Sequence, residues 1–514
     1  MNLDKITENF VKNHPDDCSH ILALRWQKLF YLSIILIFLG ALAYRWDILL
    51  HVVNSFFVIL YLGVILFRLC AFALSILAKG HIEISEDKIK ALGDLPIYTI
   101  LVPLYKEANI ANKIVKNINL LDYPKDKLDI KLLLEEDDKE TREALEKLTL
   151  PDYYDIIIVP DADLKTKPRA CNWGLEKAKG EYCVIYDAED RPEPDQLKKA
   201  IVAFQEVDLD VACLQAKLNY YNATQNFLTR WFTIEYTSTF DYYLPGLQMM
   251  NVPVPLGGTS NHFKTSILKE IGGWDPFNVT EDCDLGVRIY KKGYKTRMLD
   301  STTWEEANSN TWNWIRQRSR WVKGFFQTHL THSRHPLKML KELGPWGYAG
   351  FLLSVGGSSF MLLANMIYWF VGIVYSAFLL SAINAGYTIQ QVIQGPREIE
   401  TMAWPLLYYG PKEDPFYSTL SICFFVITIV LLLSNFLLIF IHIIAAKKRG
   451  IPSLLFWAAL MPFYWVLISI GAWKGFFQLL TNPFYWEKTE HGLNDDIEDS
   501  DEPLKKLEKV SSKS

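Results

Sequence analysis

The sequence predicts an α/β domain with a mostly parallel, Rossmann-like sheet, inserted between membrane-spanning helices. Half of the 514 residues are hydrophobic, and the long apolar runs lie towards the two ends of the chain. The segment between those runs is charged, and in it short apolar stretches alternate with helical patterns, the order that builds parallel sheets. Its acidic clusters directly follow those stretches, where the crevice of an open α/β sheet lies.

The apolar runs bound the rest of the chain. Leu29–Tyr44 and Val52–Ala78 read as two crossings divided by Arg45-Trp46-Asp47, the first of them short. Leu337–Ser354 is amphipathic and then apolar, which suits a helix lying along the membrane surface. Ser358–Ala382 and Phe416–Ala446 read as crossings, joined by the polar, proline-punctuated linker Asn384–Pro415. Pro452–Leu480 contains Pro462 and Lys474 and reads as interfacial or re-entrant. Lys5, Lys12, Arg25 and Lys28 precede the first crossing, Lys79 follows the second, and Lys447-Lys448-Arg449 ends a later one. The positive-inside rule puts all of these, and the central domain, in the cytosol.

The expected layout is therefore a multi-pass protein of the plasma (inner) membrane. A cytosolic tail spans 1–28, two transmembrane helices 29–78, a soluble domain 79–335, interface and transmembrane helices 336–482, and a loop with a disordered tail 483–514. The first 28 residues are too polar for a cleavable signal peptide. Seven cysteines without a C-x-x-C pair read as free thiols, and a net charge of -5 leaves no nucleic-acid footprint.

Within the soluble segment, Ile97–Val102, Ile130–Leu134, Ile156–Val159 and Tyr182–Tyr186 read as strands, with helices over Asn109–Leu121 and Lys139–Leu148. Asp187-Ala188-Glu189, with Asp190 next to it, offers hard oxygens at i and i+2, which suit Mg²⁺ or Mn²⁺ against a diphosphate; a plain acidic turn is the alternative. Lys167, Arg169 and Asn172 lie shortly upstream. Asp137 and Asp138 can accept hydrogen bonds from a base or ribose, or cap the following helix. Gly257–His262 offers small residues for close approach of a ligand, with His262 as a secondary candidate that is more commonly structural. Thr280-Glu281-Asp282 precedes the helical stretch Leu285–Lys292, so Thr280 fits a cap and Asp282 a general base. In the helical stretch Trp312–Phe326, Gln317, Arg320 and Trp321 share one face: an amide, a guanidinium and an indole, suited to a phosphate beside a flat sugar ring.

Taken in order, Pro103–Glu107, Asp137/Asp138, Asp187-Ala188-Glu189, Thr280-Glu281-Asp282 and Gln317-x-x-Arg320-Trp321 resemble the processive, membrane-embedded family 2 glycosyltransferases, which include cellulose and hyaluronan synthases. The resemblance runs from about Pro96 to Trp321 and implies a GT-A fold. The metal motif departs from the family's D-x-D, reading D-A-E. By that resemblance Glu107 and Asp137 hold the base and ribose, Lys167 the diphosphate, and Asp187 and Glu189 the metal–diphosphate. Asp282 deprotonates the acceptor hydroxyl beside Thr280 and Glu281, while Gln317, Arg320 and Trp321 grip the diphosphate and acceptor end. Phe484–Gly492 resembles a gating loop, with Trp486, Lys488, Thr489 and His491 as its candidates.

The implied partners are a nucleotide-sugar donor, taken first as a UDP-sugar, a growing polysaccharide, the bilayer and export proteins. One rival reading is single-sugar transfer to a lipid-linked acceptor. The other, a nucleotide-regulated transporter, needs ionisable residues within the crossings. Arg68, His442 and Lys474 are those residues, and only Arg68 lies well inside its run.

Overall fold

The apolar stretches of the central segment pair into one nine-stranded mixed sheet, seen in a computed structural model. The structure describes residues 3–488 apart from 79, 387–432, 434 and 449. The strands are β1 (His81–Ile82), β2 (Tyr98–Leu104), β3 (Leu128–Glu135), β4 (Tyr154–Val159), β5 (Tyr182–Ile185), β6 (Arg191–Pro192), β7 (Val211–Tyr220), β8 (Asn261–Lys264) and β9 (Lys295–Glu305). Their order is β1-β9-β7-β8-β5-β2-β3-β4, with β6 paired to β9.

β5, β2, β3 and β4 run parallel, and every residue of β3 is buried, as a strand covered on both faces requires. β8 enters antiparallel between β5 and β7, which makes the sheet mixed. Its direction matters for the site. The turn before β8 lies beside the carboxyl end of β5, where the Ser260 amide donates to the Ile185 carbonyl at 2.8 Å. Fold class and the positions of these four strands are thus as the sequence predicted: an α/β domain with a mostly parallel, Rossmann-like sheet lying between apolar helices.

Among the described residues, four helices are long and apolar enough to cross a membrane: Arg25–Arg45, Ser55–Ala78, Pro336–Phe370 and Met461–Thr481. The first two belong to one helical run, Arg25–Ala78, bent where Arg45 leaves helical geometry. The surface helix expected over Leu337–Ser354 is divided instead. Gly344, at φ 68° before Pro345, breaks it, and the chain then continues through a π-turn (Leu352–Gly357) into Ser358–Asn384. Met461–Thr481 packs against Thr311–His332 at very short range. A Cβ on Gly475 would collide with the Ser319 carbonyl, so only glycine lets these backbones meet.

The expected N-terminal tail is in fact a docked strap. Asp4 caps a helix over Lys5–Asn13 and also meets Arg169 at 2.7 Å, while the Ser19 amide donates to Asp275 at 2.6 Å. Arg334 donates to the Cys18 carbonyl at 2.9 Å, closing the strap onto the soluble domain. Most of the expected Asn384–Pro415 linker and of the Phe416–Ala446 crossing, and the whole tail after Gly492, lie outside the described residues. The six described cysteines are free thiols.

Candidate active site

The carboxyl edge of the sheet opens into a cavity of about 570 Å³ that continues between the apolar helices. Its wall begins with the acidic turn after β5. Asp190 is fully buried and accepts from the Asp187 amide at 2.8 Å and from the Thr259 hydroxyl, so it braces the turn from behind. Asp187 and Glu189 line the cavity. Asp190 Oδ1 and Glu305 Oε1 are buried without a hydrogen-bond partner among the described residues. Burial first, and then the neighbouring carboxylates, push both groups well above the usual carboxylate range.

No three of the described carboxylates, histidines or cysteines converge to hold an ion by themselves. Two cavity-facing carboxylates backed by unpartnered acceptor oxygens still fit a hard divalent cation, one that completes its oxygen shell from a diphosphate.

Lys167 opens the helix Lys167–Glu176 and joins two walls, bonding Asp187 and the Gly258 carbonyl, the latter at 2.7 Å. Burial works against its ammonium, but Asp187 and Glu281 hold its pKa above the usual lysine value. A Cβ on Gly258 would stand 3.4 Å from Asp282 Oδ2, so the glycine turn brings backbone right up to that carboxylate. Asp282 lies in the first turn of the helix Glu281–Lys291, which begins four residues before the stretch read from sequence. It accepts from the Cys283 amide at 2.7 Å, and burial raises its pKa against Lys167 and Arg320. Glu281 beside it is pushed up to about 8 by burial and then by Asp282. Thr280 occupies the cap position, yet its hydroxyl makes no capping bond. Its side chain instead fills the space over Gly324, so the expected cap is a packing contact.

The helix Thr311–His332 supplies the opposite wall. Gln317, Arg320 and Trp321 all line the cavity, as their shared face predicts. Arg318, next to Gln317, borders the same cavity. It is buried, paired with both oxygens of Glu235, bonded to Tyr464 Oη at 2.9 Å, and 4.5 Å from the Trp321 ring. It fixes the indole from behind, a role invisible in sequence because Glu235 and Tyr464 are remote along the chain.

The C-terminal segment reaches the same cavity. Arg320 lies 4.5 Å from the Trp486 ring, and Lys488 bonds the carbonyls of Tyr105 and Lys106 and stands 3.6 Å from Glu107. Glu487 is held by Lys474, by Gln478 at 2.8 Å and by Ser319 at 3.2 Å. Thr489 and His491 lie outside the described residues.

Three sequence candidates fall elsewhere. Asp137 is not part of the cavity wall; Lys165, which is, holds it at 2.6 Å. Asp138 is the cap, accepting from the Thr141 amide at 3.2 Å. His262 is fully buried in β8, bonded to Tyr98 Oη at 2.8 Å and pushed down to about 3 by burial, so it is structural. Glu305, unnoticed in the sequence, ends β9 and lines the cavity; had β9 been recognised, the strand-end rule would have flagged it.

Part of the chain is similar to known sugar-transferring proteins. Residues 182–389 match the family described as Glycosyl transferase family group 2. Over 242 residues it is 29% identical to a probable glycosyltransferase of Bacillus subtilis, covering 45% of this chain and 56% of that one. Over 250 residues it is 28% identical to a probable glucomannan 4-beta-mannosyltransferase of Oryza sativa subsp. japonica, covering 46% and 42%. The chain spans about half the length of the curated relatives it matches. Among solved structures, the mannosyltransferase PcManGT from Pyrobaculum calidifontis in complex with GDP-Man and Mn2+ aligns over 79% of this chain and 99% of its own, with 18% identity and a TM-score of 0.43.

Proposed function

We propose that the chain is an inverting, processive glycosyltransferase that moves sugars from a nucleotide-sugar donor onto a growing polysaccharide at the membrane. The observation that carries this reading is the single cavity shared by Lys167, Asp187, Glu189, Asp282 and the Gln317/Arg320/Trp321 face, which continues between apolar helices. Glu107 and Lys167 take the donor, and Asp137 serves from the rim through Lys165. A Mg²⁺ or Mn²⁺ ion held by Asp187 and Glu189 would stabilise the departing diphosphate.

Asp282 accepts the acceptor hydroxyl's proton as its oxygen bonds the anomeric carbon and the bond to the diphosphate breaks. One displacement inverts the centre, and no covalent enzyme intermediate is needed. Gln317 and Arg320 steady the diphosphate beside Thr280 and Glu281. Trp321, pinned by Arg318, offers a flat face to the terminal sugar of the acceptor. Trp486 and Lys488, with Thr489 and His491, form the cover.

The reading also carries the expected membrane placement, multi-pass in the plasma (inner) membrane with the site in the cytosol, and export partners for the product. To test it, membranes holding the full chain are incubated with a panel of radiolabelled UDP- and GDP-sugars. Long product with release of nucleoside diphosphate is expected from one donor, which also identifies the base. A product of one added sugar overturns processivity, and no transfer from any donor overturns the reading.

A further inference from the structure

The membrane end of the cavity holds a guanidinium with no carboxylate partner among the described residues. Arg68 lies in the apolar helix Ser55–Ala78, about 15 Å before its Ala78 end at 1.5 Å per residue. Of its five N–H donors, the structure gives one hydrogen bond, from Nη2 to Ser358 Oγ at 3.3 Å, and its Cζ sits 5.3 Å from the Tyr243 ring. Arg68 Nε and Tyr243 Oη are both buried with no hydrogen-bond partner among the described residues.

Among the described residues, three buried arginines have carboxylate partners, and a fourth, Arg334, donates to the backbone carbonyls of Pro15, Cys18 and Ile21. Arg169 meets Asp4 and Glu135, Arg288 meets Asp284, and Arg318 meets Glu235. No carboxylate among the described residues pairs with Arg68. Cationic side chains within apolar helices are rare and mark ligand sites or pathways.

The surroundings of Arg68 say what would satisfy it. His442, bonded to Ser238 Oγ at 2.6 Å, and Tyr61, bonded to Asn435 at 2.7 Å, line the same part of the cavity. Val64, Ile65, Leu362 and Leu438 add aliphatic surface to the lining of the same cavity. A cation with free donors inside an aliphatic pocket matches an amphiphile with an anionic head, and a planar guanidinium suits phosphate oxygens.

We propose that the membrane end of the cavity is a binding site for the phosphate of a lipid, with Arg68 as its cation and Tyr243 and Ser358 as its hydroxyl partners. The site rests on the membrane placement of the function proposed above. A lipid phosphate reaches it from either of two sources, a bulk phospholipid or a phosphate-linked isoprenoid that carries the acceptor.

The test uses the purified full chain in mild detergent and native mass spectrometry. The probes are a short-chain polyprenyl phosphate, the matching polyprenol, phosphatidylglycerol and diacylglycerol. The wild type should retain a phosphate lipid at least about tenfold better than its neutral counterpart, the ratio one charge-assisted hydrogen bond supplies. Arg68→Gln should lose that preference and Arg68→Lys keep part of it, with nucleotide binding at the other end of the cavity unchanged. Retention of phosphatidylglycerol identifies bulk lipid as the source; retention of polyprenyl phosphate alone identifies the acceptor carrier. Equal retention of charged and neutral lipids by the wild type, or an undiminished preference in Arg68→Gln, overturns the site. Nucleotide-sugar turnover by the wild type is scored separately, so its absence counts against the function and not against the lipid site.

Discussion

At the sheet end of the cavity three cations meet carboxylates, Lys167 with Asp187, Lys488 with Glu107 and Arg318 with Glu235, while Arg320 lies against the Trp486 ring. At the membrane end Arg68 meets a hydroxyl and an aromatic ring. The difference teaches which groups are ready to exchange partners. A paired lysine costs little to keep and can pass from Asp187 to a diphosphate, leaving Asp187 to an incoming cation. A guanidinium in an apolar wall with no carboxylate partner among the described residues has no ion pair to exchange and gains by capturing an anion.

The sharpest way to break this comparison is to remove the proposed proton acceptor at the sheet end. Asp282→Asn keeps the shape and should lower transfer by roughly 10²–10⁴-fold, with nucleotide affinity nearly intact. Retained transfer above about a tenth of wild type would rule Asp282 out as base. Its pKa is raised by burial, and the base acts only when deprotonated. The rate should therefore fall with decreasing pH through a midpoint above that of an ordinary aspartate, and a pH–rate profile reads it directly.

Next in size is the acidic turn. Asp187→Ala and Glu189→Ala should each cost on the order of a hundredfold in activity, and EDTA should abolish turnover until Mg²⁺ or Mn²⁺ is restored. Asp190→Ala should instead lower the thermal midpoint, since it unties the Asp187 amide and the Thr259 hydroxyl, a loss of about 1–3 kcal/mol for a buried partner. If Asp190→Ala removes metal dependence with no loss of stability, and Glu189→Ala does not, the metal ligand is Asp190.

Two smaller effects sharpen the same picture. Trp321→Ala should lose long polymer before it loses hydrolysis of the donor, separating grip on the acceptor from chemistry; equal loss of both would deny it that role. Lys488→Ala and Thr489→Ala should reduce synthesis several-fold by loosening a cover over the donor, in the manner of loops that close on substrate. Trp486→Ala should cost about 0.5–1 kcal/mol of its contact with Arg320. Normal synthesis in the Lys488 and Thr489 variants, with only the aromatics mattering, would mark the segment as an interface anchor. Removal of residues 494–514 should change little.

The apolar periodicity of the sequence determined the four parallel strands, and the strand-end rule was enough to gather Glu107, Asp187 and Glu189 at one edge. Helical spacing alone put Gln317, Arg320 and Trp321 on a common face. Those are short-range consequences of backbone geometry, so they survive without knowledge of partners. Contacts between residues far apart in the chain were decided by the tertiary structure. It chose Asp138 as the cap and left Asp137 to Lys165, and it turned Asp190 inward as a brace. It set Gly258 against Asp282, put Arg318 behind Trp321, and laid the N-terminal strap on Arg169. Each depends on which side chains packing brings within hydrogen-bond reach, and a linear pattern does not carry that information.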